Sequence, residues 1–254
     1  MNHQLKISVI IPTYNEENYI KKTLIAIKRQ KCNIPYELIV SDGQSSDRTV
    51  LIAEKIAKVY ISPKKGKSLQ LNYAVSKSSG DLLIFLDADT VIEPYFLQKI
   101  YNIFKKHDDL IACSARVKYY DGISFSFKLG SQTFTITPYF FLNLNMHIWY
   151  FFKTLLGFPE LMGCNIIVRR DIFIKAGGFK QLPQNLVGID KVFSDSLIYL
   201  TRKMKKGKIR TLNFISVFTS GRRLSIHRGL ERVSLYRLKK DVYYDLAKDN
   251  NWKN

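Results

Sequence analysis

The strongest constraint on the fold of this chain of 254 residues is an alternation. Short, unbroken apolar runs are each followed by a polar turn and then by a stretch with helical spacing. Ile7-Ser8-Val9-Ile10-Ile11 is the first such run, and Pro12 is expected to end it. Residues 16–30 then carry Ile20, Leu24 and Ile27 at helical spacing. Residues 36–40 read as a second strand, residues 46–57 as a helix opened by Ser46-Asp47, and residues 59–61 as a third strand. Residues 67–78, with Leu71 and Val75 on one face, read as a helix, and residues 82–86 as a fourth strand. Runs this apolar are buried on both faces, so the order β-α-β-α-β-α-β implies an α/β fold with a mostly parallel sheet flanked by helices.

That topology makes a claim about chemistry. Open parallel sheets bind ligands beyond the carboxyl ends of their strands. The segments 12–16, 42–43 and 87–89 all lie at such ends and are expected to converge. Among them, Asp87-Ala88-Asp89 carries two carboxylates one residue apart, where the sheet opens. Such a pair can share a hard divalent cation, Mg²⁺ or Mn²⁺, while leaving sites for substrate phosphates. In Ser41-Asp42-Gly43-Gln44-Ser45-Ser46-Asp47, helix capping accounts for Asp47 but less well for Asp42. A carboxylate at position 42 can instead accept the ring N–H of a nucleobase.

The second half is more mixed. Residues 111–117, 165–168 and 209–217 read as strands, and residues 194–206 as a helix stopped by Gly207. Residues 134–158 are aromatic-rich and admit two readings: core, or an interfacial helix with Trp149 and Tyr150 at headgroup level. The net charge is +19, and residues 201–254 hold 15 Lys/Arg against 4 Asp/Glu. This favours anionic partners such as phosphorylated substrates or an anionic membrane face. Residues 228–247 carry apolar positions at helical spacing beside that charge. The expected organisation is therefore a catalytic domain over residues 1–220 with a basic amphipathic helical extension over 221–254. Cys32, Cys113 and Cys164 stand far apart and read as reduced thiols. With neither a signal peptide nor a clean membrane span visible, the expected location is cytoplasmic or peripheral at the cytoplasmic membrane face.

Four ordered motifs carry a resemblance. Residues 7–17 (ISVIIPTYNEE), 41–49 (SDGQSSDRT) and 86–90 (LDADT) resemble the signatures of family 2 glycosyltransferases with the GT-A fold. Residues 66–72 (GKSLQLN) are similar to that family's G-[KR]-x-x-Q-x-N pattern. Arg169-Arg170-Asp171 followed by Ala176-Gly177-Gly178-Phe179 is similar to a later element. The resemblance implies an inverting transferase that moves a sugar from a nucleoside-diphosphate donor, UDP-sugar favoured and GDP-sugar possible, to a saccharide or lipid-phosphate acceptor. It implies that Pro12, Thr13, Tyr14 and Glu16 line the nucleoside pocket. By the same resemblance Asp42 contacts the base, Lys67 approaches the diphosphate, and Asp87 and Asp89 bracket ribose and metal, with Asp89 the more direct ligand. Arg222 and Arg223 are candidates to clamp a diphosphate or an anionic acceptor.

One departure matters. The family places Glu-Asp at the start of the helix after GGF, and this chain has Ser194-Asp195-Ser196. Asp195 is then the first candidate for general base and Asp190 the second. A phosphate-monoester acceptor, already ionised, needs no base. Two other function classes compete. A nucleotidyltransferase wants a glycine-rich basic loop after the first strand, but residues 12–17 lack glycine and are acidic. A non-enzymatic membrane or nucleic-acid binder follows from charge alone, and no nucleic-acid module is recognisable.

Overall fold

The computed structural model describes residues 4–121, 125–129, 132–136, 148, 152, 161–182 and 188–222. The strands are β1 (Ile7–Thr13), β2 (Tyr36–Asp42), β3 (Lys58–Ile61), β4 (Leu82–Leu86), β5 (Val91–Ile92), β6 (Leu110–Asp121), β7 (Phe125–Leu129), β8 (Gln132–Ile136), β9 (Asn165–Arg169) and β10 (Lys208–Ser220). The helices are α1 (Ile20–Lys28), α2 (Thr49–Ala53), α3 (Lys67–Ser76), α4 (Phe96–Lys106), α5 (Arg170–Lys175) and α6 (Ile189–Met204).

Eight strands form one sheet in the order β3-β2-β1-β4-β9-β6-β10-β5, and β7 and β8 form a separate antiparallel pair. The first four strands run parallel, with β1 central between β2 and β4. β9 enters antiparallel between β4 and β6, and β5 pairs antiparallel with β10 at the far edge. The sheet is thus parallel in the half built from the first four strands and mixed beyond it.

Successive side chains of a strand point to opposite faces, so each central strand feeds two cores. Val9, Ile11, Ile84 and Leu86 pack on the face covered by α1 and α4, through Ile20, Leu24, Ile27, Phe96, Ile100 and Phe104. Ile10, Ile39, Leu83 and Phe85 pack on the opposite face against Leu71 and Val75 of α3 and Phe193 and Leu197 of α6. Phe85, Phe179 and Phe193 interlock there, with ring centroids 4.9 and 4.7 Å apart along the chain of contacts. Each such side chain contributes about 1.5–3 kcal/mol on full burial. Together they fix the strand ends that carry the polar residues described next.

Several boundaries differ from the sequence reading: α2 is confined to Thr49–Ala53, β6 and β10 run on to Asp121 and Ser220, and three others bear on the site. β1 continues through Pro12 to Thr13, which pairs with Asp42. Its pairing with β4 stops at Ile10, so Pro12 has a strand on one side only, where a missing N–H is tolerated. α1 begins at Ile20 rather than near residue 16, because Asn15 is left-handed (φ 53°). The amides of residues 15–17 are also taken by the side chains of Ser45, Thr49 and Asp47 at 2.9, 2.7 and 3.2 Å. α6 begins at Ile189, five residues before the expected start. No helix among the described residues is long and apolar enough to cross a membrane. Most of the aromatic segment 134–158, and the basic extension beyond Arg222, lie outside the described residues.

Candidate active site

The carboxyl ends of β2, β1 and β4 open into a cleft of about 270 Å³. Pro12, Thr13, Tyr14 and Glu16 line it from β1, Gly43 from β2, and Asp87, Ala88 and Asp89 from β4. Lys65, Gly66, Lys67 and Gln70 close it from the start of α3. The convergence expected from topology is therefore present.

At the β4 end the cleft is a charge cluster. The Lys67 ammonium pairs with the Asp87 carboxylate and donates to the Gly163 carbonyl at 3.2 Å. Loss of hydration alone would lower the Lys67 pKa, but the charge and hydrogen bond of Asp87 raise it above its ordinary value, so the lysine stays cationic. Asp89 is nearly buried. Its Oδ1 accepts from the Thr219 hydroxyl at 3.1 Å and its Oδ2 lies 3.2 Å from Arg222. Burial and the neighbouring Asp87 charge push the Asp89 pKa up, and Arg222 and Thr219 only partly oppose them. Two acids held close in a desolvated site favour a cation between them.

Arg222 also donates to Glu16 Oε2 at 2.5 Å and stacks over Tyr19, with its guanidinium carbon 3.9 Å from the ring centre. Desolvation would lower its pKa, but the Glu16 bond and charge, with Asp89, raise it. Its placement is set one residue earlier, where Ser220 and Gly221 both donate to Asp121 Oδ1 at 2.6 Å. Arg223 lies outside the described residues.

At the β2 end, Asp42 is fully buried. Its oxygens accept from the Thr13 hydroxyl at 2.8 Å and from the Ser45 amide and hydroxyl at 2.7 and 2.6 Å. Asp42 is not among the described residues that line the cleft. Asp47 behaves as the capping expectation has it, accepting from the Thr49 amide at 2.9 Å.

The two candidate bases separate. Asp190, in the first turn of α6, accepts from the Gly163 amide at 3.2 Å and lines a narrow recess shared with Lys67 and Asp87. A Cβ on Gly163 would meet Asp190 Oδ2 at 2.6 Å, so the contact requires glycine. Asp195 pairs with Lys191 one turn back along the helix and is not among the described residues lining either cavity. Of the two candidates, Asp190 is the one that shares a cavity with Lys67 and Asp87 among the described residues.

No cluster of three or more His, Cys, Asp or Glu suited to a metal occurs among the described residues. The available set, Asp87 and Asp89, suits a hard cation that keeps several waters and completes its shell with substrate phosphates. Reading from sequence also missed parts of this site. Lys65 stands next to the Gly66-Lys67 signal and lies 5.3 Å from the Tyr14 ring centre. Thr219 sits in the strand leading to Arg222, and Tyr120 donates to the Asp89 carbonyl at 3.0 Å.

The chain is 31% identical over 120 residues to a dolichol-phosphate mannosyltransferase of Pyrococcus furiosus, a match covering 45% of this chain and 34% of that protein. It is 29% identical over 115 residues to the glycosyltransferase YfnE of Bacillus subtilis, covering 43% and 29%. The chain thus spans about a third of the length of the curated relatives it matches. Among solved structures, S. aureus TarS 1-349 in complex with UDP-GlcNAc superposes with a TM-score of 0.63 at 22% identity, covering 92% of this chain and 65% of that one. The mannosyltransferase PcManGT of Pyrobaculum calidifontis, in complex with GDP-Man and Mn²⁺, gives 0.62 at 18% identity, covering 95% and 65%. These likenesses show the shared GT-A fold. The sequence signature of Glycosyl transferase family 2 matches residues 8–177, and the chain belongs to that family.

Proposed function

We propose that the protein transfers a glycosyl group, with inversion, from a nucleoside-diphosphate sugar to a saccharide or lipid-phosphate acceptor. The observation that carries this reading is the charge cluster at the end of β4. Asp87 pairs with Lys67 and Asp89 with Arg222, and both acids line the cleft of about 270 Å³. The diphosphate would lie at that end, against Lys67 and the amino end of α3. The nucleoside would lie over Pro12, Thr13 and Tyr14 toward Gly43. Glu16 and Asp89 hold Arg222 where it can reach the diphosphate. Relatives that bind UDP-GlcNAc and GDP-Man support a nucleotide-sugar donor of either base. The dolichol-phosphate mannosyltransferase relative supports a lipid-phosphate acceptor.

Negative charge grows on the diphosphate as the glycosidic bond breaks. Lys67 and Arg222 stabilise that charge more in the transition state than in the ground state. Asp89 and Asp87 would hold Mg²⁺ or Mn²⁺, which would further neutralise the leaving group. Asp190 is positioned beside Lys67 and Asp87 to take the acceptor hydroxyl's proton, and Gly163 keeps its carboxylate in place. The internal use of the amides of residues 15–17 disfavours a nucleotidyltransferase, whose phosphate loop needs such amides free.

The test is a panel of UDP- and GDP-sugars with Mn²⁺, read by nucleoside-diphosphate release with and without saccharide and lipid-phosphate acceptors. Release that depends on Mn²⁺ and disappears in Asp89→Ala supports the reading. No release with any donor, or release of pyrophosphate instead, overturns it.

A further inference from the structure

Among the described residues, three hold Asp89, and all come from the late strands of the sheet or their ends. Tyr120, in β6, donates to its carbonyl at 3.0 Å. Thr219, in β10, donates to Oδ1 at 3.1 Å, and Arg222, just beyond β10, lies 3.2 Å from Oδ2. The two carboxylate oxygens are thus held differently. Arg222 is a charge with a second acid, Glu16, as partner. Thr219 is a neutral, buried hydroxyl whose oxygen lies 3.0 Å from the hydroxyl of Thr90, also buried. An ionised carboxylate can only accept, so the Thr219 proton points at Asp89 and the Thr90 proton at Thr219. The two hydroxyls form a relay with a single direction, ending on Oδ1.

Sheet register puts the relay there. β10 and β5 pair antiparallel, Val217 with Ile92 and Phe218 with Val91. One step further along the same ladder sets Thr219 opposite Thr90, a cross-strand threonine pair. A slip of one residue would set Phe218 or Ser220 opposite Thr90 instead and turn the alternate side chains to the wrong face. Thr90 also closes the turn of the acids, its amide donating to the Asp87 carbonyl at 3.0 Å. The turn that carries Asp87 and Asp89 is therefore fastened to β10 through these threonines.

We propose that Thr219 is a positioning residue: its hydroxyl fixes Asp89 through Oδ1 and leaves Oδ2 as the oxygen offered to the divalent cation of the donor diphosphate. This deepens the glycosyltransferase reading and rests on it. A cation at Oδ2 competes with Arg222, which keeps Glu16 as a partner when displaced. It does not compete with Thr219, whose bond to the carboxylate is charge-assisted. Hydrogen bonds to a ligating carboxylate orient it and tune its hold on the metal.

The experiment titrates Mn²⁺ into the full chain saturated with UDP or GDP and reads free Mn²⁺ by electron paramagnetic resonance. Wild type is compared with Thr219→Val, which keeps the shape and removes the hydroxyl, and with Thr219→Ser, which keeps the hydroxyl and removes a methyl. Thr219→Val is expected to weaken Mn²⁺ binding about ten- to a hundredfold. Thr219→Ser is expected to stay within about threefold of wild type, because the donor survives. A packing role alone predicts the reverse order, since serine leaves the void and valine fills it. Wild-type Mn²⁺ affinity in Thr219→Val, or equal losses in the two variants, overturns the assignment. Should Thr219→Val not fold, Thr219→Ala against Thr219→Ser makes the same comparison across one oxygen, and equal affinities there overturn it too. A wild type that binds nucleotide but takes up no Mn²⁺ overturns the role of Thr219 and leaves the donor reading standing. If wild type binds neither UDP nor GDP, the donor reading itself falls, and Thr219 with it.

Discussion

The Arg222 guanidinium lies 3.2 Å from the Asp89 carboxylate, joining the end of the last sheet strand to the acids that follow β4. The same group bonds Glu16, so one cation compensates two nearly buried carboxylates. Replacing Arg222 by Ala removes that ion pair from both carboxylates. Removing one member of a buried pair costs more than the pair contributes, because a desolvated charge stays behind. With Arg222 itself about a quarter exposed, the loss expected in urea unfolding is about 2 kcal/mol. Millimolar Mn²⁺ should recover more stability in Arg222→Ala than in wild type, because it offers a replacement cation. Equal Mn²⁺ effects on the two proteins would place the metal away from Asp89.

Asp89 makes a prediction about pH. Its folded pKa is raised by burial and by Asp87, so ionising it costs stability. The favourable contribution is complete below the unfolded value of about 3.9 and is lost as pH rises through the higher folded value. At pH 7 the penalty is present, so Asp89→Asn, which cannot ionise, is expected to melt higher than wild type there. The advantage should shrink as pH falls toward the unfolded value of about 3.9 and vanish below it, where the aspartate is protonated in both states. A melting series for the two proteins across pH 4–7, without divalent ions, measures this. Transfer activity moves the opposite way, because the stabilising variant has lost a carboxylate that the reaction needs.

The parallel half of the sheet was legible because its signals are local. Residues 82–86 are an unbroken apolar run, and β4 occupies the same five positions. The cleft was legible for the same reason, since its residues cluster at strand ends. What escaped reading depends on contacts between distant segments. α4 is an exception, because Phe96, Leu97, Ile100, Tyr101 and Phe104 on its one buried face form a local helical pattern. The late start of α1, by contrast, is decided by Ser45, Asp47 and Thr49 binding the amides of residues 15–17, which no local pattern displays. The preference for Asp190 over Asp195 is of this kind too. Sequence spacing offered both, and only the approach of Gly163 distinguishes them.

That distinction is testable by pairing two conservative changes. Asp190→Asn keeps the shape beside Lys67 and removes the proton acceptor, so kcat for a hydroxyl acceptor should fall by about 10²–10⁴ with little change in donor KM. Asp195→Asn breaks the pair with Lys191 on α6, and a partly exposed pair of this type contributes about 0.5 kcal/mol. Its kcat should stay within about threefold of wild type. With a phosphate-monoester acceptor Asp190→Asn should lose far less, because that nucleophile arrives ionised. A large loss in Asp195→Asn with none in Asp190→Asn would restore the order expected from sequence.

Gly43 offers a test of how the nucleoside end of the cleft is held. It does not adopt the left-handed backbone that requires glycine. By conformational entropy alone, Gly43→Ala should therefore be neutral or stabilise by about 0.5 kcal/mol. The structure opposes that, since the new Cβ would stand 2.9 Å from Gln70 Nε2. Gln70 must then move, which endangers its bonds to the Thr13 and Ser41 carbonyls and the bridge between β1 and β2. Overpacking of this sort costs about 1–3 kcal/mol, so Gly43→Ala is expected to destabilise and to weaken UDP or GDP binding about tenfold. The obstacle is a single side chain, so the effect should disappear when that side chain is shortened. In a Gln70→Ala background the added methyl meets no clash, and Gly43→Ala should change stability by less than about 0.5 kcal/mol. A double-mutant cycle on unfolding and on nucleotide affinity reads the coupling directly. Strict additivity would mean that Gly43 is required for something other than room for Gln70.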